Sequence, residues 1–476
     1  MSDNSISVDT VLRMNAREAV PDSARVPSIS SSSLVQGRNT VKFTPSNGKS
    51  FMPNQQAVIR LNSAQGYLAP TSTALVMDLT VTGIPPQNKE ATSAYFDDLC
   101  LGVLDRFRLT AGGVLLDEIF ECGKTTTALN YLTASPDHYK GTQNVLMKSW
   151  KYVPDAEDGD DETDAIFKMM PFSKVGVQKR GSAIQSNANK SSVRVVIPMS
   201  YLSSVCRSHK FLPLRNMGNL EFSFQFAAAQ NALVNSSNAA SSTAGNPDVT
   251  APTLGYSVDN IYMLADIVDL NAEYVSMMDR LLQGEGMTIP LDKYTVLSAQ
   301  NNINQQSVKK QFTYSFGAPV VKNCVFWKQL ASQQNNINSF TTSGFLNNNQ
   351  KSFRLRVGSQ YLPQYDSIQS NEELYWMTQK GLGVAGNIGE QIGLGNYKSF
   401  TSNDAANATF IFMFSFEKNS ESADVVLDGI DARSTSLFVA EIEDSIGAGN
   451  DIEELYCAFN SIAVLKLANG VLVLEE

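Results

Sequence analysis

Residues 106–117 (RFRLTAGGVLLD) alternate apolar and polar side chains around a glycine pair. That is the pattern of a half-buried strand, a tight turn and a second strand. The chain repeats it at residues 352–363 (SFRLRVGSQYLP), where Phe353, Arg354, Leu355 and Gly358 match Phe107, Arg108, Leu109 and Gly112 at one constant offset. A short helical pattern follows each copy, at residues 124–132 (KTTTALNYL) and 371–380 (NEELYWMTQK). Two further pairs keep the same order: apolar strand runs at 193–199 and 409–415, then strands at 220–226 and 437–442. Matching order and spacing in both halves predict an internal duplication.

The remaining pattern is of short strands separated by turn chemistry. Strands are expected at residues 57–61, 74–82, 256–264, 308–315 and 319–327, and a closing hairpin at 463–474 around Asn469-Gly470. Residues 271–282 read as a helix, with Asn271 as its N-cap and Gly284 as its stop. Residues 1–49 are polar without sustained periodicity, apart from a short helical pattern at 11–19, and read as an extended arm. Three long polar stretches interrupt the strands: an acidic run at 155–164, an Ala/Asn/Ser-rich stretch at 227–250 and a Gln/Asn-rich loop at 333–350. The fold expected is all-β: two tandem eight-stranded sandwiches with long loops and a few short helices. The divisions expected are an arm (1–49), a first sandwich (50–230), a polar linker (231–254) and a second sandwich (255–476).

Composition narrows the function. The chain has 476 residues, 43% hydrophobic and 18% charged, which fits a globular protein with more than one core. A formal net charge of -10 disfavours bulk binding to phosphate backbones. The isolated basic pairs Lys179–Arg180 and Lys309–Lys310 read as surface features, not a nucleic-acid footprint. Five widely spaced cysteines, Cys100, Cys122, Cys206, Cys324 and Cys457, with no CxxC, argue for a reducing compartment and against a disulfide framework or zinc ribbon. No apolar run approaches the roughly 20 residues a membrane helix needs, and the N-terminus has no hydrophobic signal core. A protein that stays in the cell that makes it, or in a particle assembled there, is the expectation.

Candidate chemistry is thin. Gly123-Lys124-Thr125 has the end of a phosphate loop, but the glycine required five positions earlier is Glu118, a carboxylate where phosphate would sit. The acidic run at 155–164 places no glycine at the sixth position of a calcium loop. Cys206 and His209 stand near each other in CRSHK with no third group at recognisable spacing, and the other histidine, His138, lies in a turn. No catalytic residue, cofactor-binding residue or metal ligand is therefore expected, and the chain reads as architectural.

The strand–helix order of each half resembles the double jelly-roll major capsid proteins, the lineage of icosahedral viruses that includes adenovirus and phage PRD1. The residues carrying the resemblance are 104–119 (LDRFRLTAGGVLLDEI), the matching block at 352–363, and the junction at 256–282 followed by Gly284-Glu285-Gly286. The resemblance implies a capsid protein located in the virion, with two upright jelly rolls per chain and homotrimers as pseudo-hexagonal capsomers. It also implies penton or minor capsid proteins as partners, and the two polar loops at 227–250 and 333–350 as an outward tower. The arm would lie beneath the jelly rolls. The competing expectation is a tandem sandwich that binds or processes carbohydrate, which needs exposed aromatic platforms and paired carboxylates. Only Trp150, Trp327 and Trp376 are present, and Trp327 and Trp376 sit in apolar patterns that read as core.

Overall fold

The computed structural model describes residues 35–61, 66–82, 94–135, 144–147, 192–208, 210–235, 255–284, 286–301, 309–337, 339–364, 366–383, 400–403, 408–417, 429–434, 437–444, 452–468 and 470–475. Sixteen strands carry the architecture. The first eight are β1 (Val35–Phe43), β2 (Gln56–Leu61), β3 (Tyr67–Thr82), β4 (Leu104–Ala111), β5 (Val114–Phe120), β6 (Ser192–Pro198), β7 (Leu220–Phe226) and β8 (Gly255–Leu270). The second eight are β9 (Met287–Asn301), β10 (Lys309–Ser315), β11 (Val321–Leu330), β12 (Gln350–Val357), β13 (Gln360–Leu362), β14 (Ile411–Ser415), β15 (Leu437–Asp444) and β16 (Glu453–Ala468).

The first set forms a front sheet ordered β1-β8-β3-β6 and a back sheet ordered β2-β7-β4-β5. The second set forms a front sheet β9-β16-β11-β14 and a back sheet β10-β15-β12-β13. Adding eight to every label converts one arrangement into the other. In each sandwich the last strand returns to pair beside the first, which is the jelly-roll connection. Phe107 and Phe353 occupy the equivalent strands β4 and β12, where they pair with Phe224 and Ile442. Both hairpins turn on a left-handed glycine, Gly112 at φ 55° and Gly358 at φ 58°, a conformation a Cβ disfavours.

Each sandwich closes over its own aromatic core. Phe107, Phe222 and Phe224 of the first back sheet meet Leu75, Met77, Leu79 and Met263 of the first front sheet. In the second, Phe353 packs against Phe326, Phe412 and Phe414 at ring-centroid separations of 4.8–5.5 Å. Full burial of each such side chain contributes about 1.5–3 kcal/mol.

Three longer helices lie between strands. The two helices expected after the hairpins are α1 (Cys122–Thr133) and α3 (Asn371–Gly381). Between them, α2 (Ala272–Gln283) is capped by the Asn271 side chain, which accepts from the Glu273 N–H, and Gly284 follows it, both as read from the sequence. The closing hairpin also forms, with Val471–Glu475 paired to the end of β16.

The expected divisions need two corrections. Residues 35–43 are not arm: β1 pairs with β8 from Val35↔Leu270 to Phe43↔Met263. The strand has an exposed burial pattern, so little apolar periodicity marks it. Residues 255–270 do not open the second sandwich: β8 is the strand between β1 and β3 of the first front sheet. All described strands up to Leu270 pair within the first sandwich, and those from Met287 on within the second, so α2 carries the crossover. The helical pattern at 11–19, the acidic run at 155–164 and residues 236–254 lie outside the described residues.

Candidate assembly surfaces

The two sandwiches meet across the outer face of the second front sheet. On β11 the side chains alternate: Cys324 and Phe326 point into the second core, while Val325 and Trp327 point out and join the core of the first sandwich. Ile411 and Met413 of β14 and Tyr456 and Ala458 of β16 do the same. Trp327 stacks on Tyr456 with centroids 5.5 Å apart, and Phe345 lies edge-on to both Trp327 and Tyr131 of α1. Because both faces of β16 are covered, eleven consecutive residues from Glu453 to Ala463 are buried. The sequence of this stretch, EELYCAFNSIA, lacks the alternation of a half-exposed strand, with an apolar run at 455–459 flanked by Glu454 and Asn460.

Polar contacts fix the register of this junction. Asp97, fully buried, accepts from the Thr342 N–H (2.8 Å), the Ser343 N–H (3.1 Å) and the Ser343 hydroxyl (2.6 Å). Asn231 accepts from the Asn335 N–H at 2.9 Å. A buried carboxylate bridging 245 residues of sequence is costly to disturb, since any lost partner leaves a desolvated charge. These contacts correct the reading of residues 333–350 as an outward tower: Phe340, Thr341, Thr342, Ser343 and Phe345 are buried at the junction. Asn and Gln in this loop hydrogen-bond to closely packed backbone, as where Asn347 Oδ1 accepts from the Gln350 N–H at 3.0 Å, and Gln329 of β11 donates to the Thr341 carbonyl at 2.7 Å.

The sequence candidates end up in structural roles. Lys124 donates to the Tyr456 hydroxyl at 3.2 Å and pairs with Glu121 at 3.1 Å, so it ties α1 to the second sandwich. A Cβ at Gly123 would lie 2.6 Å from the Leu101 carbonyl oxygen and 2.8 Å from the Gly102 Cα. This glycine therefore permits close packing of α1 on residues 101–102. Glu118, in the position that argued against a phosphate loop, pairs with Arg106 and with Arg108. Cys206 is buried, and burial pushes its thiol up to about 11. His209 and His138 lie outside the described residues. Trp327 is core, as expected, whereas Trp376 is corrected: it stands 51% exposed on the outer side of α3. Trp150 lies outside the described residues.

Lys310 also corrects the surface reading of the pair Lys309–Lys310. On β10, Lys310 shares the inward face with Phe312 and Tyr314, and on β11 Lys328 shares the inward face with Phe326. The two ammonium groups meet Asp444 at the end of β15 and Glu453 at the start of β16. Lys310 Nζ lies 2.8 Å from Asp444 and 3.1 Å from Glu453, and Lys328 Nζ 3.3 Å from each. Asn348 Nδ2 adds a hydrogen bond to Glu453 at 3.0 Å. Burial alone would raise the Glu453 carboxyl, but Lys328 and Lys310 outweigh it and hold that group well below the usual carboxylate range. Two cations bridging two anions make the quartet neutral, which is the condition for burying charges at all.

The outer face of the first front sheet is different in kind. It carries Arg38 with Asp266, Thr40 with Asp266, Lys42 over the Tyr262 ring, and Arg194 bidentate on Asp78 at 2.7 and 2.9 Å. Arg194, helped by Asn260, holds the Asp78 carboxyl low against the opposing effect of burial. The arginine side chains remain more than half exposed, Arg38 at 56% and Arg194 at 59%.

No family model matches this chain, and no curated protein matches it. Solved structures do. A PBCV-1 virus capsid chain aligns with a TM-score of 0.57 at 10% identity, over 94% of this chain and 99% of that one. The Faustovirus major capsid protein aligns at 0.59 and 10% identity, over 97% of each chain. A chain of the Sputnik virophage aligns at 0.58 and 13% identity, over 95% of this chain and 90% of that one. At such identities the likeness is one of fold, and it runs through both sandwiches: this chain has the double jelly-roll fold.

Proposed function

We propose that this chain is the major capsid protein of an icosahedral virus, located in the virion, whose role is architectural and not catalytic. The observation that carries the reading is the duplication: one chain holds two sandwiches of identical strand order, locked together through an apolar sheet face and a buried aspartate. Three such chains around an axis offer six similar modules, which tile where a true hexamer would. Near-complete coverage of capsid chains by the alignment supports the same reading. The partners that follow are two further copies in a capsomer, neighbouring capsomers, and penton or minor capsid proteins where the lattice geometry changes. The carbohydrate reading loses a platform, since Trp327 is enclosed in the junction. Sedimentation equilibrium of the purified chain tests the proposal. A species three times the 51.9 kDa chain mass is expected, and a strictly monomeric protein would overturn it.

A further inference from the structure

We infer that Lys328 and Asp444 condense to an isopeptide bond that ties the front sheet of the second sandwich to its back sheet, with Glu453 carrying the protons and Lys310 polarising the carboxyl. The fold itself does not require these four groups. The first sandwich has the same strand order, yet its ion pairs Arg38–Asp266, Arg60–Glu221, Arg106–Glu118 and Arg194–Asp78 each keep the arginine partly or largely in solvent. In the quartet no side chain is more than 8% exposed. The surroundings are apolar: Lys328 Nζ lies 5.3 Å from the centre of the Phe410 ring. Four full charges enclosed there carry a large desolvation cost. Condensation removes one cation and one anion, and it leaves Lys310 and Glu453 as a neutral pair.

The geometry gathers what the bond needs. Lys328 stands on β11 of the front sheet, and Asp444 ends β15 of the back sheet. Lys328 Nζ is 3.3 Å from Asp444 Oδ1 and 3.3 Å from Glu453 Oε1. Lys310 Nζ is 2.8 Å from Asp444 Oδ2, and Asn348 Nδ2 holds Glu453 Oε1 at 3.0 Å. Amine, carboxyl, proton acceptor and polarising cation thus meet within hydrogen-bond reach. Gln350 adds an independent observation. It lies opposite Asp444 in the β12–β15 register, is 6% exposed, and its Oε1 has no hydrogen-bond donor among the described residues. A buried acceptor left open beside the reacting carboxyl suits the amide N–H or the departing water.

The step balances within the chain. Glu453 takes one proton from the Lys328 ammonium. The freed lone pair on Nζ attacks Cγ of Asp444, while Lys310 stabilises the negative charge on Oδ2. The Nζ–Cγ bond forms and the Cγ–Oδ1 bond breaks. Oδ1 leaves as water with two of the three ammonium protons, passed on by Glu453, and the third stays on the amide nitrogen. Glu453 ends ionised, as it began, so no outside reagent is consumed. Each chain reacts once, on itself, and the product is a cross-link between residues 116 apart in sequence, which restrains the unfolded chain.

The test is the mass of the full, purified chain, measured denatured. The wild type should be lighter than its sequence by one water. Tryptic digestion should give a branched peptide joining residues 323–351 to residues 434–466, with fragmentation placing the branch between Lys328 and Asp444. Lys328→Arg keeps the charge but lacks the amine, so it should show the full sequence mass. Glu453→Gln should be recovered mostly at full mass, because general acid–base catalysis contributes about a hundredfold or more. The wild-type result decides the matter whether or not the variants fold. A wild type at full sequence mass, or a water lost at any other pair of residues, would overturn the inference. Neither result bears on the capsid reading, which sedimentation tests separately.

Discussion

The two front sheets have the same strand order and opposite chemistry. In the first, β8 (GYSVDNIYMLADIVDL) alternates buried and less buried positions, because one face meets the core and the other bears ion pairs. In the second, β16 (EELYCAFNSIAVLKLA) is buried on both faces over most of its length. The sandwiches also keep their charges in different places. The first holds Arg38–Asp266 and Arg194–Asp78 on an open surface, and the second encloses Lys310, Lys328, Asp444 and Glu453. A duplicated module can therefore keep its topology while its faces are rewritten for what each one touches. An apolar face suits a junction that never opens, and a charged face one that must stay soluble until a partner arrives.

The sharpest way to break this contrast is to remove one charge from each sandwich. Lys328→Ala leaves buried carboxylates short of a cation and should cost about 3–5 kcal/mol in chemical denaturation. Removing Arg194 costs Asp78 its bidentate partner at the edge of solvent and should lower the unfolding midpoint, but far less than Lys328→Ala does. Equal effects would mean the two sets of charges are not placed as described. Trp327→Ala empties the centre of the junction and should likewise cost about 3–5 kcal/mol, whereas Trp376→Ala on α3 should leave the midpoint of the isolated chain where it was. Gly123→Ala forces a Cβ into the Leu101 backbone and should cost about 1–3 kcal/mol.

Acid titration gives a smaller effect, with a defined sign. The Glu453 carboxyl is held below its unfolded value, so its contribution is complete above the ordinary glutamate range and is lost as pH falls through its depressed folded value. Asp117 works the other way. Burial raises its carboxyl despite hydrogen bonds from the Ser204 N–H and hydroxyl, so its contribution is present below the ordinary aspartate range and is lost as pH rises through its folded value. Stability measured from about pH 5 down to about pH 2 should fall less steeply in Glu453→Gln and more steeply in Asp117→Asn than in the wild type. A Glu453→Gln profile parallel to the wild type would remove the lysine–carboxylate account of that site.

What the sequence revealed follows from which interactions are local. Hairpins, the helices after them and the Asn271 cap depend on residues a few positions apart, and alternation around Gly112 and Gly358 made them legible. The strand β1 was not, because its partner β8 lies more than 200 residues away and its exposed positions mask the pattern. The buried quartet was readable in part: strand parity puts Lys310 on the face of Phe312 and Tyr314, and Lys328 on the face of Phe326. A lysine on an apolar face signals a buried partner, but nothing local says that Asp444 and Glu453 supply it. The Asp97–Ser343 contact left no local signal at all, since it exists only once the sandwiches are packed.

Electron cryo-microscopy of the purified, associated chain tests the central claim most directly. The account predicts a particle with threefold symmetry and six similar upright sandwiches in a pseudo-hexagonal outline. A twofold dimer, or a threefold particle whose sandwiches do not form a pseudo-hexagonal ring, would contradict it.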